Sequence, residues 1–156
     1  MTLETKSTLS SETLENIQEL IKINVDSRDT FQELADNTEN ASVAIMFREL
    51  ATERNRNVAE LESLINFNGK QPNEAGSVAA AYHRIVISLR SALGAGTTTM
   101  LNEAESAEDK IKARYEEVLK RDPGSAASDV LHRQYAGVRA AHDRVQAIRD
   151  AHLRAT

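Results

Sequence analysis

Residues 69–96, GKQPNEAGSVAAAYHRIVISLRSALGAG, decide how the rest of the chain can be arranged. Gly69 and, a little beyond it, Pro72 end the helical pattern that precedes them, and Gly94-Ala95-Gly96 closes the segment. Between these stops Val78, Tyr82, Ile85, Leu89 and Leu93 recur at helical spacing. Neighbouring antiparallel helices can be joined by a few polar residues, whereas this link carries an amphipathic helix of its own. Such a length implies a crossover that runs along a bundle and leaves the helices on either side of it parallel. A compact five-helix arrangement is the competing picture.

Four longer helical patterns flank the link. The first runs from about Ser11 to Asn37, with Ser10 or Ser11 as cap and Leu14, Ile17, Ile21, Phe31 and Ala35 on one face. Asn37-Thr38-Glu39-Asn40 breaks it and offers a new cap. The second continues to about Asn68, with Val43, Met46, Phe47, Leu50, Val58, Leu61, Leu64 and Ile65 as its buried stripe. A third pattern is expected to start at Thr97-Thr98-Thr99 and reach Arg121, burying Leu101, Ala104, Ile111, Tyr115 and Val118. Asp122-Pro123 reads as an N-cap followed by proline at the first helical position, so the fourth helix is expected from there to about Leu153. Each spans roughly 40 Å at the helical rise. No useful period-2 alternation exists. The expectation is an all-α four-helix bundle of two antiparallel hairpins joined by a long crossover, with residues 1–10 as a flexible N-terminus and 11–154 as one domain.

Composition narrows the function classes. The 156 residues carry a formal net charge of -5 with acids and bases interleaved, and only 4% are aromatic. Without a basic block or arginines interspersed with aromatics, nucleic-acid binding has little support. The absence of cysteine excludes disulfides, thiolate metal sites and thiol catalysis. Neither a signal-peptide pattern nor a stretch long enough to span a bilayer is present, so a cytoplasmic protein is expected. No Gly-rich phosphate loop follows a strand, and no Ser is paired by motif with a base.

Polar residues on the apolar stripes are the candidate sites. Glu108 falls on the inward face of the third helix, and His142 follows Leu131, Tyr135 and Val138 on the fourth. Folding that hairpin about residues 122–125 brings Glu105 and Glu108 level with His142. Carboxylate oxygen and imidazole nitrogen suit a divalent metal. The alternative is a Glu–His hydrogen bond, or an ion pair of Glu108 with Arg139 or Arg144, because a buried carboxylate needs some partner. On the first two helices Asn24, Ser27, Arg28, Glu53, Arg54 and Asn57 interrupt the stripes at matching heights. They form either the second half of a metal site or a salt-bridge layer of Arg28 or Arg54 with Glu49 or Glu53.

Several stretches carry a family likeness: Asp26…Phe31…Ala35, Gly76-Ser77…His83-Arg84…Leu89, the run from Leu101 to Asp109, Tyr115-Glu116, Gln134-Tyr135-Ala136-Gly137-Val138 and His142-Asp143-Arg144-Val145…Ile148-Arg149-Asp150. In these the chain resembles a bacterial family of ferritin-like four-helix-bundle proteins catalogued as a domain of unknown function. More loosely it is similar to ferritins and rubrerythrins. That wider likeness implies a metal pair held by a Glu on the first helix, Glu-x-x-His on the second, Glu on the third and Glu-x-x-His on the fourth. Here Glu53-Arg54-Asn55-Arg56 has Arg in place of the second-helix His. Glu105 and Glu108 stand for the third-helix acids, and His142 lacks its Glu. Glu19 and Asp26 point away from the first stripe. The resulting expectation is a non-enzymatic bundle without cofactor that acts by association, as a homodimer or with another protein. Leu20, Ile23 and Ile45 are apolar beyond what one face needs and point to a dimer through the first two helices. The alternative is a metal-binding or metal-dependent redox protein holding one or two Fe, Mn or Zn ions at Glu53, Glu105, Glu108 and His142.

Overall fold

A computed structural model describes residues 4–72 and 96–155. Those residues form four helices, α1 (Ser11–Asn37), α2 (Ala41–Phe67), α3 (Thr97–Arg121) and α4 (Ser128–Ala155). The all-α four-helix bundle is as expected. The short helix expected between Gly76-Ser77 and Gly94-Ala95-Gly96 lies outside the described residues.

Local chemistry sets most of the helix ends. The Ser10 side chain accepts from the Thr13 amide at 3.1 Å and caps α1. Asn40 does the same for α2 by accepting from Val43 at 3.1 Å. Gly69, with a φ of 69°, takes the left-handed conformation that closes α2. Two expected starts differ. Gly96 rather than a threonine is the N-cap of α3, without a side-chain hydrogen bond. Asp122-Pro123 does not open α4. The Asp122 carboxylate is taken by the Thr13 hydroxyl at 2.6 Å, and Ser125 accepts from the Ala127 amide at 3.1 Å instead. The chain therefore turns through residues 122–127 before α4 begins at Ser128.

Contacts between the rods fix their directions. Thr13 at the start of α1 meets Asp122 at the end of α3, and Glu19 meets Arg121 at 3.0 Å, so these helices are antiparallel. Since α1 is also antiparallel to α2 across a three-residue turn, α2 and α3 run parallel. That is the order the long link implied, with the end of α2 and the start of α3 at opposite ends of the bundle. α1 packs against both α2 and α3, and α4 packs against α3. α2 and α3 therefore face each other across the diagonal.

The apolar core is divided. One cluster contains Ile17, Ile21, Leu61, Ile65, Ile111, Val118 and Leu131; the other contains Phe31, Leu34, Phe47, Leu50, Leu101, Ala104 and Val145. Residues 4–10 lie across the end of the first cluster. Leu9 is buried there, its amide donates to Asn68 Oδ1 at 2.8 Å, and Lys6 pairs with Asp129 at 2.8 Å. Of the residues read as surplus apolar surface, Leu20 lies in the core and Ile23 packs half-buried against it, while Ile45 is 56% exposed.

The arrangement can be tested in this cysteine-free chain. Thr13→Cys with Asp122→Cys should form an intramolecular disulfide on mild oxidation, seen as faster migration on a non-reducing gel. An up-down-up-down bundle would hold those residues at opposite ends, and persistent free thiols would argue for it.

Candidate functional site

Two polar layers fill the gap between the apolar clusters, and each draws on more than two helices. In the first, Arg54 of α2 reaches across the diagonal to Glu108 of α3. Its Nη2 donates to Oε1 at 2.5 Å and to Oε2 at 2.7 Å, and both side chains are at most 1% exposed. Arg54 Nε donates to the Ser27 hydroxyl on α1 at 3.0 Å, and the guanidinium lies 6.0 Å from the centre of the Phe31 ring. Glu108 responds mainly to its burial, which pushes its carboxyl above the ordinary range while the Arg54 charge and hydrogen bonds pull the other way. The nearby Glu53 charge adds to the upward push, and His142 opposes it.

The second layer lies nearer the turn between α3 and α4. Asn24 of α1 donates from Nδ2 to the Tyr115 phenol of α3 at 2.8 Å, and Tyr115 donates to Gln134 Oε1 of α4 at 2.7 Å. Gln134 Nε2 donates to Glu60 Oε1 at 2.8 Å, while Asn57 Nδ2 returns to Asn24 Oδ1 at 3.1 Å. All four helices contribute. Burial pushes the Tyr115 phenol up, so it stays protonated and able to donate. Arg133 seals the surface end through Glu60 at 2.5 Å, and that hydrogen bond holds the Glu60 carboxyl below its usual range.

The expected site residues separate. Glu108 has both oxygens on Arg54. Glu53 is half-buried and lines a groove of about 470 Å³ between α2 and α4, together with Arg54, Asn57, Gln134 and Gly137. Glu105 and His142 come together, and the third member of their group is Asp109: ligand atoms of these three lie within 4.8 Å of one another. His142 Nε2 is 2.7 Å from Asp109 Oδ1, and Nδ1 is 3.2 Å from Asp143 Oδ1. Glu105 Oε2 also lies against Arg149 Nη1 as an ion pair, without the alignment of a hydrogen bond.

This donor set does not fit a metal pair at the bundle centre. A cation there would have to displace a buried guanidinium from Glu108, and on α1 the same level offers Ser27 rather than an acid. The pairing also departs from the two ion-pair layers anticipated. Arg54 and Glu108 choose each other rather than Glu49 or Glu53 and Arg139 or Arg144. Arg144 pairs at the surface with Glu49 at 2.7 Å, Arg28 with Asp29 at 3.1 Å, and Arg139 lies over the Tyr135 ring. Gln134, whose amide closes the second layer, and Asp109 were not anticipated as functional positions.

The family described as Domain of unknown function (DUF2383) matches residues 12–121. The chain belongs to this family. The matched span contains α2 and α3 and nearly all of α1, so both partners of the Arg54–Glu108 pair fall within it. It ends at the last residue of α3, so Gln134 and His142 of α4 lie beyond it. No curated protein matched the sequence. No helix among the described residues is long and apolar enough to cross a membrane.

Removing the cation isolates the buried carboxylate. Arg54→Met should destabilise the fold at neutral pH by about 3–5 kcal/mol in urea unfolding. The sign with pH follows from the raised Glu108 carboxyl. Its favourable contribution is complete below the unfolded value of about 4.3 and is lost as pH rises through the folded one. Without Arg54 the folded value climbs further, so the deficit of the variant should widen as pH increases above that range. A deficit independent of pH would mean that Glu108 does not carry it.

Proposed function

We propose that this member of the family is a non-catalytic, ferritin-like helical bundle that works through association, in the first instance with a second copy of itself. The observation that supports a non-catalytic role is the closed centre of the bundle. The charged groups that lie level there, Arg54 and Glu108, are paired with each other and, through Arg54, with Ser27, and neither side chain is more than 1% exposed. A catalytic group has to reach a reacting atom; a buried, mutually satisfied pair holds helices in register instead.

Support for self-association is an apolar side chain on the outer face of a hairpin. Ile45 is 56% exposed on α2, one turn inside its start, where a polar residue would cost nothing. A two-fold contact would place the same patch of α2 on both subunits and bury both copies of Ile45. α1 would flank that contact, its half-buried Ile23 having little apolar surface left to add.

Light scattering on a sizing column tests this reading. The protein should elute with the mass of a dimer, and Ile45→Glu should elute as a monomer with unchanged helical circular dichroism. A wild-type monomer over the full accessible concentration range would rule out self-association through this face.

A further inference from the structure

His142 stands between carboxylates on both sides of its ring. Asp143 Oδ1 is 3.2 Å from Nδ1, and Asp109 Oδ1 is 2.7 Å from Nε2. A neutral imidazole has one N–H and one lone pair, so it can satisfy only one of them; the other nitrogen would press a lone pair against a carboxylate oxygen. A metal ion on the second nitrogen removes that conflict. Glu105 completes a donor set for it. It lies one helical turn before Asp109 on α3, and its oxygen, an Asp109 oxygen and a His142 nitrogen all fall within 4.8 Å of one another. Two ligand atoms on the same ion stand about 3 Å apart at first-row metal–ligand lengths. The gap therefore needs side-chain rotation rather than movement of a helix.

We propose that Glu105, Asp109 and His142 form a mononuclear site for a divalent cation of the zinc class, clamping α3 to α4 at the rim of the bundle. One imidazole and two carboxylates form a mixed nitrogen and oxygen set, which suits Zn²⁺ and its first-row neighbours better than Mg²⁺ or Ca²⁺. Asp143 supplies the outer carboxylate that holds the ring with Nε2 directed at the ion. Burial favours a defined geometry: the Glu105 and His142 side chains are 13% and 11% exposed, while Asp109 at 62% leaves the ion open to water as a fourth ligand. Arg149 is the opposing group. It lies against Glu105, so binding must release it, and Asp150, whose Oδ1 is 2.9 Å from Arg149 Nη2, is already in place to keep it paired. The site is distinct from a metal pair at the bundle centre, because Glu108 and Glu53 take no part in it.

Calorimetric titration of the chelator-treated full chain with Zn²⁺ tests the proposal, with Co²⁺ absorption as a report of coordination. One Zn²⁺ per chain is expected, with Co²⁺ showing the intense visible bands of a four- or five-coordinate ion. His142→Ala and Asp109→Asn should each weaken binding about tenfold or more, and Asp143→Asn, acting through the ring, by about tenfold. Arg149→Met should tighten it, since a competing cation has gone. Asp109 is exposed, so Asp109→Asn keeps the test valid if His142→Ala fails to fold. No binding to the wild-type chain, or binding that Asp109→Asn leaves unchanged, would overturn the site.

Discussion

A charged pair crossing the diagonal of the bundle is the interaction on which the rest of the arrangement depends. Arg54 and Glu108 sit on helices that do not pack side by side, and only a long side chain meeting another can bridge that distance. Because both are removed from water, neither tolerates the loss of the other. A slip of α2 against α3 by one turn would part the two charges and leave each buried without its partner. The pair therefore selects one register, at a cost in desolvation that an apolar pair would not incur.

The second layer extends the same logic to all four rods. Asn24, Asn57, Tyr115 and Gln134 satisfy one another only when the four helices stand at their observed heights. Together the layers separate the core into two apolar clusters, one filled mainly by Leu, Ile and Val and the other by Phe, Leu, Met, Val and Ala. Non-directional burial supplies the driving force, and the directional layers choose among the ways of satisfying it. The open seam lies between α2 and α4, where ion pairs such as Glu60–Arg133 and Glu49–Arg144 span a polar groove.

The helical architecture is legible in the chain because the stripes repeat at 3.6 residues over long segments, the first two with side-chain caps. The length of the link was enough to anticipate parallel α2 and α3. Asp122-Pro123 misled because its carboxylate serves a tertiary contact with Thr13, which no local pattern records. The polar positions were visible as interruptions, but their partners were not. Heights matched only within each hairpin set Arg54 beside Glu49 and Glu53, and Glu108 beside Arg139 and Arg144. Matching the hairpins to each other through antiparallel α1 and α3 brings Ser27, Arg54 and Glu108 to one level. Asp109 carries no site signal of its own in the sequence, because it is exposed and off the apolar stripe, and gains interest only from the His142 ring that faces it from α4.

A bundle whose centre is occupied by its own charges leaves its surfaces to carry function, which agrees with a role in association and with a cation site at the rim rather than the core. The central claim concerns coupling, so a double-mutant cycle measures it most directly. Arg54→Met, Glu108→Leu and the double variant would be unfolded in urea at neutral pH, each followed by helical circular dichroism. The account predicts that the double variant is far more stable than the sum of the single losses allows, with a coupling energy of about 2–3 kcal/mol. Additivity within about 0.5 kcal/mol would contradict it, since the two charges would then not depend on each other.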